Sequence, residues 1–246
     1  MKDEYFSTDR EPALTGGGFQ PDPAERQAAP VHRQTDDMEA LRDSVANEPA
    51  LPEHRDPAQW SRWLQQKRAT CTMPGNLGAT LLAAVLSGPF AIVGALLAGY
   101  QGTGPVVYAV LFGPVIEELL KQSGMTYLLE RKPYRVFAAW QFLFAAVVSG
   151  LTFAAIENLV YIARFASQPG AGDLGSMAAY RWTVCTPLHV VWAAIASMGL
   201  VRVHQRQQRD GRPAELAAAL PWFLAAIVLH GLYNAAAMLF GLGSSG

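Results

Sequence analysis

The hydrophobic and polar positions divide the chain into two parts. From Met1 to about Pro52, Pro, Gly, Asp, Glu and Gln dominate, and Gly16, Gly17 and Gly18 follow one another. Such a stretch buries too little apolar surface to offset chain entropy, so it is expected to be disordered. A short helix around Asp37–Val45 is the one local exception considered. Asp56-Pro57 then has the form of an N-cap followed by proline at the first helical position. Over 57–68, Trp60, Trp63 and Leu64 gather on one side while Arg62, Lys67 and Arg68 lie elsewhere. That suits an amphipathic helix on a membrane surface, or else a plain linker to the first span.

Five long apolar runs come next, each near the roughly 20 residues needed to cross about 30 Å of hydrocarbon. They are expected at about Leu77–Tyr100, Pro105–Leu129, Phe137–Ile162, Trp182–Val201 and Leu216–Leu239. The reading is an all-α polytopic membrane protein with about five transmembrane helices. A polar N-terminal cytoplasmic tail, 1–76, precedes a transmembrane domain, 77–241.

Charge sharpens this division. Thirteen of the 20 acidic residues precede Leu77, and from Leu77 onward there are only seven acidic and ten basic residues. The formal net charge of −1 therefore averages two unlike regions and says nothing about partners. Arg62, Lys67, Arg68, Arg131, Lys132, Arg135, Arg202, Arg206, Arg209 and Arg212 fall on one side of the expected spans. Only Arg164 and Arg181 fall on the other. The positive-inside rule puts the N-terminus in the cytoplasm and the loop 164–181 outside. The first 30 residues lack the apolar core of a signal peptide, so the first span is expected to direct insertion. Arginine outnumbers lysine 15 to 4, a composition that fits a GC-rich bacterial genome and hence a bacterial cytoplasmic membrane. Cys71 and Cys185 lie at different levels, and no Cys/His zinc spacing occurs. Glycine-rich phosphate loops and basic nucleic-acid faces are absent, so no nucleic-acid partner is expected.

The spans hold few ionisable groups, and each is costly in hydrocarbon. Glu117, Glu118 and Lys121 lie in the second span, Glu157 and Asn158 in the third, His189 in the fourth, His230 and Asn234 in the fifth. Counted from the external ends at about 1.5 Å per residue, the Glu and His residues fall between the outer leaflet and the midplane. One water-filled cavity can collect them, with kinks at Pro114 and Pro187 widening it. Two adjacent carboxylates sharing the Lys121 counter-ion titrate separately, which is a route to a general base. Glu118 lies about 100° around the helix from Glu117, so only one points squarely at a cavity. Either can be the base. Glu157 needs a partner, with Lys121, a metal ion or a water held by Glu118 as the choices. His230 and Asn234 share a helix face and can together donate to a developing oxyanion. Alternatively, His189, His230 and a glutamate such as Glu118 form a ligand set suited to zinc or another divalent metal with an open water position. No HExxH, no Gly-x-Ser-x-Gly and no intramembrane aspartate pair is present.

Glu117-Glu118-Leu-Leu-Lys121, Phe153-x-x-x-Glu157-Asn158, His189 and His230-x-x-x-Asn234 resemble, in order, the motifs of the PrsW family of intramembrane proteases. That family is similar to the CAAX prenyl proteases and the bacteriocin-processing CPBP proteins. Those relatives usually carry arginine where this chain has Lys121, and histidine where it has Glu157. The resemblance covers about Leu77 to Phe240. It implies an intramembrane endopeptidase, metallo- or glutamate-type, with Glu117, Glu118, Lys121, Glu157, Asn158, His189, His230 and Asn234 at the site. It also implies single-span membrane-anchored regulators, such as anti-sigma factors, as substrates cut on the extracytoplasmic side. A proton- or ion-coupled transporter is the rival reading, since intramembrane Glu, His and Lys also mark ion paths. Five spans without an internal repeat count against it. A scaffold acting through its tail is the third.

Overall fold

The computed structural model describes residues 57–99, 104–169 and 172–241, all within one compact unit, Pro52–Gly246. The expected disorder before residue 57, the helix at Asp37–Val45 and the Asp56 cap lie outside the described residues.

Every described element is helical. In order the α-helices are α1 (Pro57–Ala69), α2 (Met73–Gly99), the single turn α3 (Pro105–Val107), α4 (Gly113–Lys121), α5 (Ser123–Arg131), α6 (Trp140–Ala166), α7 (Leu174–Tyr180), α8 (Thr186–Asp210) and α9 (Leu220–Phe240), with short 3-10 turns at Pro133–Arg135 and Leu216–Ala219. Two π-helical turns interrupt the series: Tyr108–Phe112 joins α3 to α4, and Arg181–Cys185 joins α7 to α8. Both directly precede a proline-containing helix start, at Pro114 and Pro187. A proline ring clashes with the carbonyl four residues back, and a wider turn relieves that clash. The kinks expected at these two prolines therefore take the form of π-turns.

Among the described residues, four stretches are long and apolar enough to cross a membrane: Met73–Ala95, Trp140–Ala166, Leu174–Asp210 and Leu216–Phe240. The chain is a multi-pass membrane protein. The second of the five expected spans is helical over nearly all its length, but it is divided by the first π-turn and again at Gln122, and it carries the three charges. The fourth is longer than expected. Its helix begins at Leu174, N-capped by Asp173, so Arg181 stands inside a helix and not in the expected loop 164–181.

The core centres on α6, which packs against α2 on one side and α8 on the other, while α8 packs against α9. Phe142, Trp192, Leu200 and Ala226 join in one buried cluster. Lipid offers no hydrophobic drive between helices, so close approach over small residues matters. At Gly150 a Cβ would come 3.0 Å from the Val190 Cα, which ties α6 to the turn carrying His189. At Gly231 a Cβ would overlap the Val110 carbonyl oxygen, so α9 lies directly on the first π-turn. The outer faces are apolar, with Leu82, Leu159, Leu232 and Leu239 exposed as lipid-facing residues should be. The amphipathic face of α1 is buried on the protein itself. Trp60 and Leu64 are nearly fully covered, Trp63 meets the Tyr134 ring edge-on at 6.0 Å, and Arg68 donates to the Val136 carbonyl.

Candidate active site

The two acidic and two histidine-bearing helices meet in one place. Glu117, Glu118, His189 and His230 are all buried, and each offers a ligand atom within 4.8 Å of the others. The Lys121 ammonium reaches three of them. It donates to Glu118 Oε1 at 2.8 Å and to His189 Nδ1 at 3.0 Å, and it lies 3.7 Å from Glu117 Oε2. The same ammonium sits 4.0 Å above the Phe153 ring, so a π-face covers it on the apolar side.

The proton positions follow from the partners. An ammonium only donates, so His189 Nδ1 accepts and its Nε2–H donates to Glu157 Oε2 at 2.9 Å. The carboxylate Glu118 Oε1 only accepts, so His230 Nδ1–H donates to it at 3.0 Å. Among the described residues no donor bonds to the His230 Nε2 lone pair, which lies 3.8 Å from Glu117 Oε2. Trp192 fixes that ring by stacking on it at 4.1 Å and 13°. Glu117 Oε2 and Glu118 Oε2 are buried without a hydrogen bond among the described residues, which buried carboxylates rarely are.

A cavity of about 360 Å³ opens beside this cluster. Glu117, Glu157, Arg181, His189, His230 and Asn234 line it, with Tyr108, Tyr180 and Tyr233 among the rest. Glu118, Lys121 and Asn158 do not line it and lie one layer behind. The two adjacent carboxylates thus differ: Glu117 faces the cavity and Glu118 is clamped by Lys121 and His230.

Glu157 has a partner that the sequence reading did not name. Arg181 Nη2 donates to its Oε2 at 2.6 Å, in place of Lys121, a metal or a water on Glu118. Arg181 Nε also donates to Asn158 Oδ1 at 3.0 Å, and its guanidinium lies 3.8 Å from the Tyr161 ring centroid. Loop-charge counting treated Arg181 as an external residue. Its spacing of eight from His189, two helical turns along one face, was the available signal. Trp192, three residues beyond His189, was equally readable on that face.

The two motif carboxamides share one structural task. In the first π-turn the Gly113 N–H bonds to the Tyr108 carbonyl, one residue further back than in an α-helix. The Ala109 carbonyl is thereby left over, and Asn234 Nδ2 donates to it at 2.8 Å. In the second π-turn the Thr186 N–H bonds to the Arg181 carbonyl. Asn158 Nδ2 donates to that same carbonyl at 3.3 Å and to the Thr186 hydroxyl at 2.9 Å. Each asparagine thus tethers a neighbouring helix to a π-turn that leads into Glu117 or His189.

A bundle of apolar helices encloses the Glu/His cluster and its cavity, an arrangement that suits an intramembrane peptidase bringing water to a bond inside the bilayer. A family description, PrsW family intramembrane metalloprotease, matches residues 66–245. The chain belongs to this family, and so it is a membrane-embedded peptidase. No curated protein and no solved structure gives a significant match.

Proposed function

We propose that this chain is an endopeptidase of a bacterial cytoplasmic membrane, with its N-terminus in the cytoplasm. It cuts single-span, membrane-anchored regulators of the anti-sigma-factor kind on the extracytoplasmic side. Glu117 is the general base. The observation that carries this reading is the pairing of two acceptors at the cavity wall, Glu117 Oε2 and His230 Nε2, 3.8 Å apart. Glu117 Oε2 is closed off here, and a water admitted from the cavity beside this pair would donate to both and be held ready for proton transfer to Glu117. Glu118 orients His230 through the Nδ1–H bond, and Lys121 supplies the positive charge that lets two adjacent carboxylates share the site. Arg181 and Glu157 fix the His189 ring. The cluster also fits a divalent metal, because four buried N and O donors converge and two of the carboxylate oxygens have no hydrogen bond. Glu117, Glu118 and His230 Nε2 would hold the ion, with His189 joining them only once Lys121 releases its Nδ1, and the ion would acidify a water and polarise a carbonyl. Asn234 keeps one amide hydrogen for a substrate carbonyl after its bond to Ala109.

The test is to compare new protein N-termini in membranes of cells expressing the chain with those of cells lacking it, under several envelope stresses. Termini within the outer juxtamembrane segments of single-span proteins are expected. Termini confined to the cytoplasmic side would overturn the orientation, and none at all the substrate class.

A further inference from the structure

A second, larger hollow lies between α2 and α5 and shares no lining residue with the Glu/His cavity. Its volume is about 980 Å³. One face of α2 forms its long wall: Gly75, Ala79, Leu82, Leu86, Phe90 and Val93, spaced three or four apart as one helix stripe requires. Ser123, Gly124 and Tyr127 form the opposite wall. From Gly75 to Val93 the stripe runs about 27 Å at 1.5 Å per residue, close to the thickness of the hydrocarbon layer. Leu82, Leu86, Phe90 and Val93 are each more than half exposed, so the described protein leaves much of the stripe uncovered. Ser87 keeps the wall apolar despite its hydroxyl, which donates to the Ala83 carbonyl and accepts from the Gly124 N–H.

Charge is confined to one end. Lys132 and Arg135 line the hollow there. Arg135 stands beside Gly75, where an added Cβ would come 3.2 Å from its Nη1. Lys132 faces the Tyr127 ring at 5.8 Å. Neither cation has an ion pair among the described residues. Among the described residues the one side-chain hydrogen bond from Arg135 is a long one, 3.4 Å to Asn76 Oδ1.

We propose that this groove binds one anionic glycerophospholipid, its acyl chains along the α2 stripe and its phosphate between Lys132 and Arg135. The fit is one of charge as well as shape. An arginine fork beside a lysine offers a phosphate both directional and point-charge contacts. Both cations stand at the end that continues into the arginine- and lysine-rich loop side, where anionic leaflet lipids concentrate. The lipid bridges α2 to α5, whose first residues follow Lys121 directly. The site does not depend on the peptidase assignment.

The test uses the full chain purified in mild detergent, titrated with phosphatidylglycerol and with phosphatidylcholine of the same acyl chains, and read by native mass spectrometry. The expected result is roughly thirtyfold tighter binding of the anionic lipid, the size that two basic side chains at a membrane surface give at about 1 kcal/mol each. Lys132→Gln with Arg135→Gln should reduce that preference to parity while leaving bound phosphatidylcholine unchanged. The swap Lys132→Arg with Arg135→Lys should retain it. Ala79→Phe, which fills the groove and keeps the rim charges, should displace both lipids. Equal binding of the two lipids by the native chain, or a preference that survives the double glutamine variant, would overturn the proposal.

Discussion

Asn234 separates two accounts of the site, because its amide donates to the Ala109 carbonyl at 2.8 Å. Replacing it with leucine removes that donor and keeps the volume roughly constant. The Ala109 carbonyl, released by the π-turn, then has no described partner within a membrane-spanning bundle. Leaving a buried acceptor unsatisfied costs about 1–3 kcal/mol. The carbonyl is only partly buried, so the lower half of that range, about 1–2 kcal/mol, is expected. Reversible unfolding of the purified protein in mixed micelles measures it directly. Asn234→Leu should lose that stability, and peptidase activity should fall with it, since the π-turn aims the helix that carries Glu117. Asn234→Gln, one methylene longer, should recover only part of both. A role as oxyanion donor alone predicts a different pattern: activity lost with stability unchanged. Stability within about 0.3 kcal/mol of wild type, below the smallest cost expected of a lost hydrogen bond, would refute the tether.

Arg181→Met should destabilise the protein by up to about 3 kcal/mol, the low end for breaking a buried pair. Arg181 and Glu157 keep 13% and 17% side-chain exposure, and the same unfolding experiment reads the loss. Gly231→Ala drives a methyl into the Val110 carbonyl and should cost about 1–3 kcal/mol as overpacking; Ala235→Gly on the same helix serves as the control for backbone propensity. Outside the spans, Asp173 caps α7 by accepting from the Gly175 and Ser176 N–H groups and the Ser176 hydroxyl. The bond to Ser176 above all holds its carboxyl below the usual aspartate value. A carboxylate depressed by folding contributes stability above its unfolded value, near 3.9, and loses it as pH falls through the folded value. Amide exchange over 174–180, corrected for intrinsic rates, should therefore hold steady down to about pH 4 and speed up below it; acceleration already at pH 6 would contradict the cap.

Much of this architecture is readable from hydropathy. The positions of the long helices, the order of the motif residues and the meeting of Glu117, Glu118, His189 and His230 all follow from span placement and depth. What hydropathy does not carry is backbone detail inside a span. Pro114 and Pro187 announce a disturbance, yet nothing in a linear pattern says that a π-turn will take it up, that Asn234 will answer the carbonyl left over by the first, or that Asn158 will brace the second. Arg181 was hidden for another reason. Counting positive charges by loop assigns an arginine near a span end to solvent, whereas here α7 begins at Leu174 and carries Arg181 inward to Glu157. The choice between Glu117 and Glu118 depends on a 100° rotation whose absolute phase only packing sets. The packing of α4 against α8 and α9 puts Glu117 at the cavity and Glu118 against His230.

The central claim is that the buried Glu/His cluster hydrolyses peptide bonds, with Glu117 as the base and Glu118 as its support. The most direct test is the set of membrane-protein N-termini generated by wild type, Glu117→Gln, Glu118→Gln and His230→Ala at matched membrane levels. All wild-type-dependent termini should vanish with Glu117→Gln and with His230→Ala. Glu118→Gln keeps an acceptor for His230 Nδ1 and should leave a measurable residue of them. Termini that persist in Glu117→Gln while the variant inserts and folds as wild type would contradict the account.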